Sequence, residues 1–222
     1  MNNKKNKFLP FIIFLMIFIF NGCATIVYKT IPLRNIAKAK GPYFVGTQNF
    51  QFVDASRKMW FSDDIKGSRK LSVKMWYPTD NITSLKKAPY LNKHKLIGSA
   101  ISKLFGIPEA LMDRAGGVKC NSWLNAVPAN GKFPIIIYSH GHQSIKIANT
   151  SQAEEMASNG YIVVAMDHSY DAALTILDED KIIYSRSKLP ASDEEALHGS
   201  MILRVKSQLK IWTEDVSFGM DE

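Results

Sequence analysis

Cysteine is nearly absent. Cys23 and Cys120 are the only two in 222 residues, so a disulfide framework is excluded as the source of stability and burial has to supply it. No segment repeats with a period of about twenty to fifty residues, which removes solenoids and propellers. Nor is there a clustered basic stripe with interleaved aromatics, and nucleic acid is a poor partner despite a formal charge of +8. No apolar run reaches the ~20 residues that a membrane-crossing helix needs. What is present, 46% hydrophobic and 22% charged residues, suits one ordinary globular domain.

The amino terminus carries a separate signal. Lys4, Lys5 and Lys7 precede an apolar run over residues 8–20, and Asn21-Gly22-Cys23-Ala24 closes it. A positive region before an apolar core of about 7–15 residues is the pattern of a secretory leader, so residues 1–22 are expected to be a signal peptide. Gly22-Cys23 is similar to the end of the bacterial lipobox, where the cysteine becomes an acylated new amino terminus, although Phe20 and Asn21 replace the Leu and the small residue of that pattern. An uncleaved apolar anchor is the competing outcome. Either one places the domain outside the cytoplasm and on a membrane, with residues 23–40 as lipid anchor and basic spacer and 41–222 as the folded part. Without the three leader lysines the net charge falls from +8 to +5, which fits a solvated surface.

Along the chain, Gly41-Pro42-Tyr43 is expected to turn into a strand near residues 47–54. Leu71, Val73, Met75 and Tyr77 alternate with Ser72 and Lys74, which predicts a half-buried strand. Leu96, Ile97, Ala100, Ile101, Leu104 and Phe105 line one face of a helix that Gly106-Ile107-Pro108 breaks, with a short second helix over 109–114. That apolar stripe serves either to pack on a sheet or as a lid over a lipid site. Residues 133–138, Phe-Pro-Ile-Ile-Ile-Tyr, predict a strand covered on both faces at the centre of a parallel sheet. Ser151 and Glu154 have capping-box spacing for the helix that follows, Gly160 is placed to stop it, and 161–166 predict the next buried strand, together a βαβ unit. Residues 175–184 read as a hairpin with a charged turn, and Val205, Leu209, Trp212 and Val216 predict a long amphipathic helix to the end. The fold class is α/β, a mostly parallel sheet with flanking helices.

Chemistry concentrates in Ser139-His140-Gly141-His142-Gln143-Ser144, between the 133–138 strand and the next helix. Ligands of open parallel sheets bind at such carboxyl ends. There Gly141 permits close backbone approach, and the His142 N–H is the candidate donor to an oxyanion. His140 and His142 with Asp167 and His168 form an alternative, zinc-binding set, but no adjacent histidine completes a metallohydrolase motif. Ser139 and Ser144 lie near histidines outside any Gly-flanked elbow, and are read as hydrogen-bonding loop residues. Asp167 and His168 are expected to close their strand and orient the loop. His94 and His198 fit solvated positions, and Cys120 fits a small buried hydrophobe.

Four segments in order carry a resemblance: Gly41-Pro42-Tyr43-Phe44-Val45-Gly46, then Val73-Lys74-Met75-Trp76-Tyr77-Pro78, then the run ending in Tyr138-Ser139-His140-Gly141, then Ala157-Ser158-Asn159-Gly160-Tyr161 through Asp167-His168. Together they resemble the secreted-type platelet-activating-factor acetylhydrolases and their bacterial relatives in the α/β-hydrolase superfamily, over residues 41–222. The resemblance implies an esterase that cleaves short acyl groups from glycerophospholipids with Ser, Asp and His and without a metal or other cofactor. Its nucleophile would stand in Gly-X-Ser-X-Gly, which this sequence does not contain. The chain is therefore expected to be the N-terminal part of such a fold, incomplete at its carboxyl end and inactive alone. A non-catalytic membrane-anchored lipoprotein that binds lipid or a protein is the alternative.

Overall fold

The computed structural model describes residues 36–59, 67–186 and 200–222. The leader, Cys23, most of the spacer and His198 lie outside these residues. The strands are β1 (Phe44–Lys58), β2 (Ser68–Thr79), β3 (Lys87–Pro89), β4 (Lys119–Leu124), β5 (Ile135–Ser139), β6 (Ile162–Asp167), β7 (Leu174–Ile176) and β8 (Ile182–Tyr184). The helices are α1 (His94–Phe105), α2 (Glu109–Ala115), α3 (Thr150–Ser158) and α4 (Ser200–Asp221).

Six strands form one sheet in the order β3-β4-β1-β2-β6-β5, and β7 and β8 form the expected hairpin. The α/β class holds, but the sheet is mixed rather than mostly parallel: β1–β2, β2–β6 and β3–β4 are antiparallel, while β1–β4 and β5–β6 are parallel. Of the two parallel pairs, β5–β6 is the one whose strands follow each other through a helix, the crossover that consecutive parallel strands need, whereas β3 and β4, also joined through helices, pair antiparallel. The apolar run at 133–138 predicts a central strand. Among the described residues β5 is instead the edge strand, and Ile135 is 63% exposed. Burial on both faces falls to β2, which has a partner on each side, so Lys74 is 3% exposed where alternation had placed it in water.

Each face of the sheet is covered by one helix. Val45, Trp76, Val163 and Ala165 pack on Ala153 and Ala157 of α3. On the other face Leu71, Val73, Val164 and Met166 meet Val216 and Phe218 of α4. Each such fully buried aliphatic side chain contributes roughly 1.5–3 kcal/mol. The Gly-Pro-Tyr start docks at the end of α3: a Cβ on Gly41 would lie 2.0 Å from the Ser158 carbonyl oxygen, and the Gly41 N–H donates to Ser158 Oγ at 3.0 Å.

Glu154 does not close a capping box. The N-cap of α3 is Asn149, with no side-chain cap. Glu154 faces the sheet, fully buried, and accepts from the Asn121 and Ser122 N–H groups at 3.0 and 2.8 Å and from Ser122 Oγ at 2.6 Å. The helix does stop before Gly160, whose φ is +91°. The α1 stripe buries Ile97 and Ala100, which accords with packing. Its last turn leaves Leu104 and Phe105 exposed.

Candidate active site

The 140–144 loop leaves β5 beside the end of β6 and is fastened to the segment that follows β6. Gln143 N–H donates to the Asp171 carbonyl at 3.2 Å, and Ala173 N–H donates to the Ser144 carbonyl at 2.9 Å. Just beyond the loop, Asp167 accepts the Lys146 backbone N–H at 2.7 Å and its ammonium at 2.6 Å. The two strand ends thus form one surface.

Hydrogen-bond logic fixes the tautomer of His140. The backbone N–H of His168 can only donate, and it points at His140 Nε2 from 3.1 Å, so that nitrogen is the acceptor. His140 Nδ1 then carries the proton and donates to the Gly141 carbonyl at 2.7 Å. Burial holds the His140 pKa below the ordinary histidine value, so the ring is neutral near pH 7. The Gly141 carbonyl also accepts the Ser144 N–H at 3.0 Å. Because the peptide is trans and planar, a carbonyl held inward turns the N–H of the same unit, that of His142, the opposite way. Neither the Gly141 nor the His142 amide donates to a group among the described residues. A Cβ built on Gly141 meets nothing within 4 Å, so no described residue fills the space before the loop.

Behind the loop lies a polar chain, buried from His168 inward, that sequence reasoning did not assemble. Ser139 Oγ is 2.8 Å from His168 Nε2, and His168 Nδ1 is 2.9 Å from Asp215 Oδ2. Asp215 also accepts both Nε and Nη2 of Arg69 at 2.6 Å, and Arg57 Nη1 lies 2.9 Å away. Burial alone would raise the Asp215 pKa. The Arg69 and His168 hydrogen bonds outweigh it and hold the carboxyl below its ordinary range. The His168 ring stacks on Trp212 with centroids 4.8 Å apart, and Trp212 Nε1 donates to Asp171 at 2.9 Å. Asp215 was invisible as a site residue because it sits 47 positions from His168 on a helix read only for its apolar stripe.

The zinc set does not converge. His140 and His168 spend their ring nitrogens as described, Asp167 is ion-paired to Lys146, and no cluster of three potential ligands occurs among the described residues. Cys120 is buried and free, and burial foremost, with Glu154 beside it, pushes its thiol up to about 12, which leaves it unreactive.

The sequence profile of the family described as platelet-activating factor acetylhydrolase, isoform II, matches residues 29–213. The chain belongs to that family. It is 25% identical over 144 residues to a platelet-activating factor acetylhydrolase of Gallus gallus, covering 62% of this chain and 31% of that one. It is also similar to the solved structure of a ferulic acid esterase from Streptomyces cinnamoneus, at 28% identity and a TM-score of 0.58, over 69% of this chain and 41% of the esterase. The chain thus spans about a third of the length of the curated acetylhydrolase it matches. With the family shown, the carboxyl ends of β5 and β6 are the part of this α/β-hydrolase fold where its loop amides and buried polar chain meet.

Proposed function

We propose that the native protein is a carboxylic ester hydrolase that removes short acyl groups from glycerophospholipids, and that residues 140–144 supply its oxyanion-binding loop. The observation that carries this reading is the unpaired His142 amide, turned outward by the inward-held Gly141 carbonyl, with open space before it. His140 is then a positioning residue, and His168 supports it through its backbone N–H. Family membership and the likeness to an esterase support the reaction class. The 222 residues hold no Gly-X-Ser-X-Gly turn, and the chain by itself is expected not to turn over esters.

The test exploits the open space at Gly141. Gly141→Val puts a branched side chain where no described residue lies, so the melting temperature should stay within the scatter of the wild type. Hydrolysis of a 2-acetyl glycerophospholipid by the native protein should fall about 100-fold or more, as loss of an oxyanion donor does elsewhere. Full activity in that variant would remove the loop from the mechanism. An intact native protein without esterase activity would favour the lipid- or protein-binding alternative.

A second reading rests on the Ser139–His168–Asp215 distances, which have the connectivity of nucleophile, base and orienting acid. Against it, Asp215 is already neutralised by two arginines, which weakens its support for an imidazolium. A fluorophosphonate adduct on Ser139, absent in Ser139→Ala, would establish it.

Attachment to a membrane outside the cytoplasm through acylated Cys23 completes the proposal, supported by the leader pattern. Labelled palmitate incorporated by the wild type and not by Cys23→Ala is the expected result.

A further inference from the structure

On the α3 face of the sheet, apart from the loop amides, a cavity of about 320 Å³ opens between β1, β2, α1 and the residues after the 140–144 loop. Its volume is at the lower end of the ~300–1,000 Å³ usual for ligand pockets. Ile97, Ile145, Ile147 and Leu174 give it an apolar wall, and the opposite side carries charge.

The charges are not balanced evenly. Lys146 is paired with Asp167 at 2.6 Å and also donates to Ser72, and Lys93 is paired with Asp180. Asp178 accepts from Gln51. Lys74, 3% exposed, lines the same cavity, and its ammonium makes no hydrogen bond or ion pair among the described residues. Its ammonium sits 5.0 Å from the centre of the Trp76 ring. The groups facing it are Cys120 from β4, Lys146 from the loop and Glu154 from α3. Glu154 is already saturated by Asn121 and Ser122. Burial, with Lys146 adding to it, holds Lys74 below the ordinary lysine range. Glu154 is thus the one anion that faces Lys74, at a distance and not as an ion pair; a buried cation without a direct ion pair is costly to keep, and a ligand anion in contact with it lowers that cost.

We propose that this cavity binds a small monocarboxylate with an apolar tail, the carboxylate pairing with Lys74 and the tail lying against Ile97, Ile147 and Leu174. The cavity adjoins the loop through Lys146 and Asp167, but none of residues 140–144 lines it, and the proposal does not depend on the ester-hydrolase reading, so either can fail alone. Bound carboxylate favours protonated Lys74, so binding takes up a proton wherever the free amine is partly neutral. Affinity should therefore weaken as pH rises toward the ordinary lysine value of 10.5.

Calorimetric titration of the full chain with hexanoate, hexanol and inorganic phosphate tests this, alongside Lys74→Met, which keeps side-chain length and removes the charge. Expected is saturable hexanoate binding, with hexanol and phosphate each about tenfold weaker or more. Lys74→Met should bind hexanoate no better than hexanol while melting at or above the wild-type temperature, because a buried charge without a direct ion pair has gone. Equal binding of hexanoate and hexanol by the wild type, or undiminished hexanoate binding by a folded Lys74→Met, would overturn the proposal. Phosphate bound as tightly as hexanoate would overturn the assignment to a tailed carboxylate.

Discussion

Asp215 shows how a single buried carboxylate can organise a site it does not reach. It accepts from Arg69 and His168 and faces Arg57, and Arg57 in turn holds Asp54, so the charges in this cluster compensate one another. Removing one member strands the others. Asp215→Leu leaves Arg69, 2% exposed, with no counterion, and should cost about 3–5 kcal/mol in urea unfolding. The double variant Arg69→Met/Asp215→Leu removes charge and countercharge together and should recover part of that loss. If the double variant is no better than the single, the cost lies in packing rather than in the stranded guanidinium.

At the scale of elements, the fold depends on how helices are tied to strands that do not follow them. Glu154 ties α3 to β4 through the Asn121 and Ser122 amides, a link that four residues of local spacing had suggested was a helix cap. Glu154→Ala leaves the Ser122 N–H and hydroxyl buried without an acceptor, each orphan costing about 1–3 kcal/mol. Hydrogen exchange at the Asn121 and Ser122 amides should speed up well before exchange in β6, whose amides pair with β2 and β5. Uniform acceleration across both strands would mean that α3 is not separately fastened. The same element explains why β4 was missed in the sequence. Its inward residues are Cys120 and Ser122, and a serine buried because it bonds a carboxylate breaks the apolar alternation by which strands are read.

For the whole molecule, the buried titratable groups fix the pH range of stability. Asp54 is held at about 2 against an ordinary 3.8, because Ser56 and Arg57 outweigh the opposing effect of burial, and Asp215 is lowered as well. His140 is held below 6.5 by burial. For all three the unfolded chain binds more protons, so their stabilisation is present above the unfolded pKa and is lost as pH falls. Cys120 has the opposite sign: its contribution is complete below 9 and disappears as pH rises toward 12. Urea unfolding should therefore show greatest stability between about pH 7 and 9, an early decline below 6.5 and a steeper one below 4. His140→Gln should remove the early decline and leave the steep one. The free edge of β5 acts at the same scale. Ile135, 63% exposed, lies on a strand with no second partner among the described residues. Such an edge recruits other chains. Light scattering should show concentration-dependent association, reduced in Ile135→Lys.

The sequence alone determined what repeats locally or is chemically punctuated. It gave the β5–α3–β6 unit, the β7–β8 hairpin, the long α4 helix, the stop at Gly160 and the candidate loop at Ser139–Ser144, since periodicity and turn chemistry act over a few neighbouring residues. Tertiary structure decided which strand lies at the edge, because pairing partners are not encoded in a strand's own composition. It also decided that Lys74 is buried, that Glu154 serves β4 and that Asp215 stands behind His168. The last two depend on groups 32 to 47 residues apart meeting in a low-dielectric interior, where a polar side chain is governed by its partners rather than by its neighbours in the chain.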